Sequence, residues 1–182
     1  MRLDGSRCLV RPWNPGDADA IAAHANNANV AKQLRDRFPH PYTRRHALEF
    51  LQHATAGAPP TNFAIVVEGE AVGGLAYVAG TDIERYSAEI GYWLGESMWG
   101  RGIATEALVL LTDYVLMDLN LLRLFALPFA DNHASRRVLE KAGYRCEAIL
   151  RASSVKAGEP RDQALYARIN ESWRRPESSA AF

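Results

Sequence analysis

Two glycines on either side of an arginine, Gly100-Arg101-Gly102, are the residues of this sequence whose type and spacing most directly suggest chemistry. Apolar residues recur at helical spacing from Ile103 onward, so the glycines stand immediately before a helix N-terminus. The first N–H groups of a helix lack partners within it and favour an anion such as phosphate. Glycine lets the backbone approach a ligand closely, and arginine adds positive charge. The segment predicts a phosphate site, while a simple chain turn explains these residues equally well when they are considered alone.

The residues after the glycines exclude two common phosphate loops. A Walker A loop requires Lys and then Ser or Thr after its last glycine, whereas Ile103 follows Gly102. A dinucleotide-binding fingerprint requires glycine at the position of Thr105. The remaining pattern, G-R-G-I-A over residues 100–104, resembles the pyrophosphate-binding signature of the GNAT superfamily of acetyl-CoA-dependent N-acyltransferases. Trp99 stands where that superfamily often has Gln or Arg, and residues 99–107 look like the RimJ/RimL-type branch, whose members include N-terminal acetyltransferases of ribosomal proteins.

A second segment, residues 132–144, strengthens the resemblance. Its pattern N-x-x-S-x-x-x-L-x-K-x-G-[FY] is similar to the acyl-CoA-binding helix of RimJ/RimL-type enzymes. Asn132 is a good N-cap residue, and Ser135 lies one turn further on, where its hydroxyl either points out of the helix mouth or extends the capping. Leu139 stands where many GNAT enzymes have a tyrosine that protonates the departing thiolate. The resemblance therefore implies Ser135 as the donor to the developing thiolate and Asn132 as a contact of the pantetheine arm.

Glu89 is the second candidate catalytic residue. On a strand it faces opposite to Ile90 and Tyr92, and beside a cleft it would accept the amine proton directly or through water. A lone glutamate is slightly more often a solvated or ion-paired carboxylate, so both interpretations stay open. Glu106, in the first helical turn, has a more structural character because a carboxylate suits the helix dipole there.

The family resemblance implies a complete set of binding residues for acetyl-CoA, which is the predicted co-substrate. The predicted acyl-CoA-binding residues are Leu94, Trp99, Gly100, Arg101, Gly102, Ile103, Ala104, Thr105, Asn132 and Ser135. We predict no metal site, because the five histidines and two cysteines form no recognisable ligand spacing. Each cysteine is interpreted as a small buried apolar residue rather than a nucleophile.

Composition sets the broad class of protein. The chain has 182 residues, 48% of them hydrophobic, which suits a single domain at residues 1–173 with a flexible tail at residues 174–182. The formal net charge is zero, so no global positive field would hold the protein on nucleic acid or an anionic membrane. No segment approaches the ~20 apolar residues of a membrane span, and we predict a cytoplasmic protein. A homodimer is possible by family resemblance.

The elements that position these residues follow a β-α-α-β-β-β-α-β-α-β-β order. The periodicity predicts strands at residues 7–13, 61–68, 71–79, 86–94, 122–127, 144–151 and 162–169. Helices are expected at residues 18–27, after the N-cap Thr43, at residues 103–118 and at residues 132–142. Residues 29–42 and 156–161 are predicted loops. The expected fold class is α/β: a GNAT-like mixed, mostly antiparallel sheet with helices on both faces.

The predicted function is acetyl transfer to a primary amine, on a protein N-terminus or a small molecule, by direct attack in a ternary complex. The two predicted loops would select the acceptor. One alternative is a regulatory module that binds acyl-CoA without catalysis. Another is an RNA-associated adaptor, which would need a one-sided basic face that the composition does not suggest. Glu89 and Ser135 facing one cleft would favour the enzyme.

Overall fold

A computed structural model describes residues 1–175 as one eight-stranded sheet with helices on both faces. The strands are β1 (Leu3–Asp4), β2 (Leu9–Pro12), β3 (Asn62–Val67), β4 (Glu70–Ala79), β5 (Ser87–Leu94), β6 (Arg123–Ala126), β7 (Arg145–Lys156) and β8 (Glu159–Ile169). Their order in the sheet is β1-β2-β3-β4-β5-β6-β8-β7. Only β5 and β6 pair in parallel, and the other neighbours are antiparallel. The predicted mixed, mostly antiparallel sheet is confirmed.

Within residues 1–175, five α-helices cover the sheet. They are α1 (Ala18–Ala25), α2 (Ala28–Ala31), α3 (Arg44–Ala54), α4 (Ile103–Asp113) and α5 (His133–Lys141). A π-helical turn, Tyr114–Asp118, continues α4, so the helix predicted at residues 103–118 has the expected length. The buried residues form one cluster that includes α1 and α3, and another that includes α4 and α5. The two clusters lie on opposite faces of the sheet.

Strand β5 contributes alternate residues to the two faces. Ala88, Ile90 and Leu94 are buried with α4, while Trp93 packs against the cluster of α1 and α3. This alternation follows from the two-residue period of a strand. Because the pairing of β4 with β5 runs without a break from Gly73↔Leu94 to Ala79↔Ala88, no bulge disturbs it.

The sheet opens between β5 and β6. Their pairing ends at Glu89↔Phe125, whereas β5 continues to Leu94 along β4. In the described part of the chain, residues 90–94 therefore have no strand partner on the edge that faces β6. We call this gap the sheet opening, and it places backbone polar groups that lack a strand partner between the two helical layers.

Several predicted helix ends are confirmed by their capping contacts. The hydroxyl of Thr43 accepts a hydrogen bond from the backbone N–H of His46 at 3.4 Å, as expected of the N-cap of α3. Gly143, just after α5, has φ of 85°, a left-handed conformation that glycine adopts without strain.

Three short elements differ from the prediction. Strand β1 and helix α2 were not predicted, and α2 starts one residue before the predicted loop at residues 29–42 and includes its first three residues. The side chain of Asn27 caps α2, accepting from the N–H of Asn29 at 2.8 Å. The predicted loop at residues 156–161 was wrong: it consists of the ends of β7 and β8, joined by Ala157 and Gly158, both with positive φ. A two-residue turn of this conformation matches the twist of paired strands and lets them continue to its edge.

The chain end is held to the sheet as far as it is described. The indole Nε1 of Trp173 donates to the carbonyl of Asn120 at 3.0 Å, and the Asn120 amide donates to the carbonyl of Arg174 at 3.1 Å. Arg174, the first residue of the predicted tail, is thus hydrogen-bonded. Residues 176–182 of that tail lie outside the described residues.

Candidate active site

The glycine loop between β5 and α4 has the backbone conformation that an anion site requires. Gly100 and Gly102 have φ of 75° and 77°, where residues with a side chain are strained. Gly102 is the N-cap residue of α4, and no side chain caps the helix there. The N–H groups of the first turn are therefore available to a ligand. A Cβ atom built on Gly100 would meet nothing within 4 Å, so there is open space beside the loop.

Two guanidinium groups flank this loop. Arg101 is exposed, and its Nη1 lies 3.1 Å from the sulfur of Met98. Arg7 reaches the loop from the turn before β2: a Cβ atom on Gly102 would lie 3.3 Å from its Nε. The sequence did not indicate Arg7, because 95 positions separate it from Gly102. The loop thus combines free amides, open space and two guanidinium groups, of which that of Arg7 is also paired with Glu106 at 3.6 Å, and this combination fits a diphosphate group.

The remaining predicted loop residues contribute unequally. Trp99 donates its indole N–H to the carbonyl of Leu94 at 2.8 Å and so closes the loop on itself. The side chains of Leu94 and Ile103 are buried in the core, which leaves only their backbone atoms for a ligand. Ala104 and Thr105 are half-buried in the first turn of α4.

Glu106 ties the first turn of α4 to the turn between β1 and β2. Its carboxylate accepts hydrogen bonds from the hydroxyl and N–H of Ser6 at 2.6 and 3.0 Å, and from the N–H groups of Arg7 and Cys8 at 2.6 and 3.0 Å. Burial alone would raise the pKa of Glu106, but these hydrogen bonds outweigh burial and lower the pKa to about 2. Glu106 therefore has the structural character expected from the sequence, and it also holds Arg7 beside Gly102.

At the start of α5, the side chains of Asn132 and Ser135 make different contacts. The side-chain oxygen of Asn132 accepts a hydrogen bond from the N–H of Ser135 at 3.1 Å, so Asn132 is the cap, as predicted. The hydroxyl of Ser135 is directed elsewhere and lies 2.7 Å from the hydroxyl of Tyr92 on β5. Leu139, one turn further on, is fully buried. Ser135 is thus available for a role other than capping.

Tyr92 is a site residue that the sequence analysis missed. Its hydroxyl is also placed to donate to the backbone carbonyl of Ser135 at 3.1 Å. Burial raises the pKa of Tyr92 strongly, the hydrogen bond with Ser135 lowers it less, and Tyr144 raises it further. The sequence feature that could have indicated Tyr92 is a phenol among the apolar residues of β5 that face α4.

Glu89 lies at the last residue pair before the sheet opening, on the opposite face of β5 from Tyr92. Its carboxylate forms an ion pair with Arg35, in the segment between α2 and α3. Glu89 and Ser135 therefore do not share a face of the sheet. Glu89 points to one side of β5, and Ser135 of α5 contacts Tyr92 on the other side, close to where β5 and β6 separate.

The two segments expected to select an acceptor meet each other. The ammonium group of Lys156, at the end of β7, lies 2.8 Å from the carboxylate of Asp36. Beside this pair is a cavity of about 540 Å³, lined by residues from both segments and by two alanines of α2. Phe38, in the cavity wall, packs edge-on against Trp93 of β5, with ring centroids 5.8 Å apart. The cavity is therefore on the same side of the sheet as Glu89.

The two cysteines differ. Cys8 is buried, and burial, with Glu106 nearby, raises the pKa of its thiol to about 12. Cys146 is exposed on the edge strand β7, so the expectation that both cysteines are buried was wrong for Cys146. Within residues 1–175, no three His, Cys, Asp or Glu side chains are grouped so that they could hold a metal ion. None of the described helices is long and apolar enough to cross a membrane.

Residues 7–145 match the Acetyltransferase (GNAT) domain family, and the chain therefore belongs to the GNAT acetyltransferases. It is an acyltransferase that uses acetyl-CoA as co-substrate and transfers the acetyl group to an amine. The relationship to the RimJ/RimL-type enzymes is also confirmed.

Individual relatives share the whole domain or large parts of it. The chain is 27% identical to the uncharacterized N-acetyltransferase p20 of Bacillus licheniformis, over 92% of this chain and 95% of that protein. It is 33% identical over 110 residues, about 60% of each chain, to the ribosomal-protein-serine acetyltransferase of Escherichia coli. The structure of Mycobacterium smegmatis RimJ in complex with CoA-disulfide superposes with a TM-score of 0.82 at 28% identity, covering 94% of this chain and 87% of that one.

Proposed function

We propose that the acetyl thioester and the acceptor amine meet in the sheet opening, with acetyl-CoA on the side of α4 and α5 and the amine on the side of α1 and α3. The observation that carries this proposal is the position of two residues of β5. Glu89 marks the end of pairing with β6 and points to one side, and Tyr92 holds Ser135 on the other. A reaction between two bound substrates needs both reacting atoms close together, and this opening passes between the two sides.

The glycine loop supplies the binding energy for the co-substrate. Gly100 and Gly102 allow close approach, the free N–H groups of residues 103–105 and the guanidinium groups of Arg7 and Arg101 hold the diphosphate, and Asn132 and Ser135 lie toward the thioester end. Leu94, Trp99 and Ile103 support the loop mainly through backbone atoms and the Trp99 hydrogen bond. Charge-assisted hydrogen bonds of this kind are stronger than neutral ones.

Glu89 and Ser135 have different roles in acetyl transfer. The neutral amine attacks the carbonyl carbon, a C–N bond forms, and the C–S bond breaks with its electron pair on sulfur. Glu89 accepts the proton that the amine loses, directly or through water, after its ion pair with Arg35 opens. Ser135 donates a hydrogen bond to the developing thiolate and stabilises its charge.

We place polypeptide N-termini first among the acceptors. The cavity of about 540 Å³ beside Phe38 is a depression open to solvent and has room for more than a small amine. Names of relatives support the same choice, since one is a ribosomal-protein-serine acetyltransferase. Lys156 and Asp36 join the two walls of this cavity, so an entering chain end would contact both.

Measuring CoA release from acetyl-CoA with a panel of acceptors tests the proposal. The panel holds short peptides with free N-termini, the same peptides with acetylated N-termini, and small primary amines. We expect CoA release with free peptides and none with the blocked ones. Release with small amines alone would overturn the choice of acceptor.

The alternative of a regulatory module that binds acyl-CoA without catalysis disagrees with membership of an acyltransferase family, and the same experiment tests it. Calorimetry would show that such a module binds acetyl-CoA, but none of the acceptors would lead to release of CoA. The paired placement of Ser135 and Tyr92 favours the enzyme, because binding the diphosphate requires neither hydroxyl.

The proposal also includes expectations about the domain extent, the location and the partners of the protein. They are a single domain at residues 1–173, a cytoplasmic location, a possible homodimer, and no nucleic-acid or membrane partner. The zero net charge supports the last of these.

A further inference from the structure

We propose that Tyr92 is a positioning residue for catalysis, which orients the hydroxyl of Ser135 so that its proton is presented to the thioester sulfur. This inference rests on the proposed function, because it assigns a task to a residue of the same site. Its basis is the contact of the Tyr92 hydroxyl with both Ser135 oxygens, 2.7 Å to Oγ and 3.1 Å to the backbone carbonyl.

The contact matters because it decides where the proton of the Ser135 hydroxyl points. Each hydroxyl has one proton to donate. If Tyr92 donates to the Ser135 carbonyl, Ser135 can donate to the phenol oxygen, and its proton then points away from a substrate. If Tyr92 donates to Ser135 Oγ, the Ser135 proton is free to point into the sheet opening. A developing thiolate selects the second arrangement, because only that arrangement supplies it with a donor.

The phenol of Tyr92 is suited to remain a donor. Burial raises its pKa above the ordinary value, and Tyr144 raises it further, so it stays protonated where a thiol with an ordinary pKa of about 8.5 ionises. Transfer of the phenol proton to Ser135 is therefore unfavourable, and the pair acts through hydrogen bonds.

The atoms balance without a tyrosinate. The C–S bond breaks with its electron pair on sulfur, and the thiolate accepts a hydrogen bond from Ser135, whose oxygen accepts one from Tyr92. Both hydroxyls keep their protons. The amine proton goes to Glu89 or to water, and the thiolate takes up a proton from water after it leaves. Polarisation along such a chain strengthens each hydrogen bond.

The competing explanation is that Tyr92 only anchors α5 to the sheet. The chain contains a matched control in Tyr166 of β8, which is fully buried and also reaches α5. Its hydroxyl donates to the Glu140 carboxylate at 2.6 Å and accepts from Arg136 Nε at 3.1 Å. Tyr166→Phe therefore removes a phenol between sheet and helix without removing a partner of Ser135.

The first test needs no acceptor. It compares the affinity for CoA with that for desulfo-CoA, which lacks the thiol, by calorimetry across the pH range in which the thiol ionises. The wild-type protein and Tyr166→Phe should prefer CoA increasingly as the thiolate forms. Tyr92→Phe should lose roughly tenfold of that preference at high pH, because Ser135 then lacks the hydrogen bond that orients its hydroxyl toward the thiolate. Affinity for desulfo-CoA should be equal in all three proteins.

Kinetics with an acceptor from the peptide panel provide the second test. Tyr92→Phe should lower kcat roughly tenfold with an unchanged KM for acetyl-CoA. In the Ser135→Ala background, Tyr92→Phe should cost nothing more, because its effect acts through Ser135. If the two losses multiply instead, the positioning role is wrong.

Two further outcomes separate this inference from the proposed function. If the wild-type protein fails to bind CoA, the proposed function fails. If it binds and turns over acetyl-CoA while Tyr92→Phe matches it in thiolate preference and kcat, only the role of Tyr92 fails. Should Tyr92→Phe melt below the assay temperature, 3-fluorotyrosine at position 92 provides the second variant. As a stronger donor it should raise the thiolate preference, and a preference no greater than that of the wild type would overturn the inference.

Discussion

The carboxylate of Glu106 and the hydroxyl of Ser6 lie 2.6 Å apart, although 100 positions separate them in the chain. Their hydrogen bond, with the backbone bonds of residues 6–8 to the same carboxylate, fixes the turn before β2 against the first turn of α4. Arg7 is part of that turn. The position of one cation beside the glycine loop thus depends on Glu106, whose carboxylate also lies 3.6 Å from the Arg7 guanidinium.

We expect Glu106 to make stability depend on pH in the acid range. Its pKa is about 2 in the folded protein against an ordinary 4.5, so its contribution is complete above pH 4.5 and is lost as pH falls toward 2. Glu106→Gln should lower the free energy of unfolding at neutral pH by about 1–3 kcal/mol. Urea unfolding at several pH values measures this, and the deficit should shrink below pH 4.5.

The control for Glu106→Gln is Glu49→Gln. Glu49 forms an exposed pair with Arg45 one helical turn away, at 3.7 Å. Such pairs contribute about 0.3–0.5 kcal/mol, so this variant should unfold nearly as the wild type does. Equal effects of the two substitutions at neutral pH would contradict the role of Glu106.

Gly102→Ala should weaken acetyl-CoA binding roughly tenfold, as expected if one strong contact is lost. The new Cβ would lie 3.3 Å from Arg7 Nε, and φ of 77° is unfavourable for alanine. Calorimetry measures the affinity. Gly69→Ala is the matched control, because Gly69 also has positive φ, nothing surrounds it within 4 Å, and it lies in the turn between β3 and β4. It should lose stability without losing affinity.

Ser135→Ala should reduce kcat and kcat/KM together, by an amount that corresponds to about 1–3 kcal/mol, and should leave acetyl-CoA affinity nearly unchanged. Since Asn132 caps α5, the loss of the Ser135 hydroxyl leaves the helix end intact. Asn132→Ala provides the contrast and should cost about 1 kcal/mol of stability. Thermal melts and steady-state kinetics on both variants decide between the roles. A destabilised Ser135→Ala protein with normal kcat would reduce Ser135 to a structural residue.

Arg35→Ala should lower KM for the acceptor, because Glu89 would no longer have to release Arg35. Arg35 is largely exposed and Glu89 about one-third exposed, with side-chain accessibilities of 64% and 32%, so loss of the pair should change stability little. Glu89→Gln should lower kcat about 10²- to 10⁴-fold if Glu89 takes the amine proton. Arg44→Ala removes a more exposed pair with Asp19 and should alter neither parameter. An unchanged acceptor KM in Arg35→Ala would exclude Arg35 as a competitor of the amine.

Residues whose conformation depends on near neighbours were predictable from the sequence. Gly100 and Gly102 adopt positive φ, Gly143 does so at the end of α5, and Thr43 and Asn132 cap their helices. Each of these features needs only a few consecutive residues, because capping and left-handed conformations are local properties.

The contacts that complete the site could not be predicted, because they join distant parts of the chain. Arg35 meets Glu89 across 54 positions, and Tyr92 meets Ser135 across 43. No periodicity specifies such partners. The ends of β7 and β8 were missed for a different reason, since their exposed residues show little alternation and their pairing is set by the turn at Ala157 and Gly158.

The narrow pairing between β5 and β6 divides the molecule in a way that bears on its motions. Strands β1 to β5 are neighbours in chain order, and β6, β8 and β7 form a second group. In the described residues the strand pairing between the two groups is limited to Ser87↔Arg123, Ala88↔Leu124 and Glu89↔Phe125, with two backbone hydrogen bonds to the Tyr86 carbonyl beside it. Strands joined by so few bonds open locally at lower cost than the strands within each group, and one buried core packs against both groups. Hydrogen exchange would record this seam as a place where the sheet opens locally. A ligand that binds both the glycine loop of one group and helix α5 of the other would slow hydrogen exchange at this seam. Substrate binding would therefore also stabilise the pairing between β5 and β6.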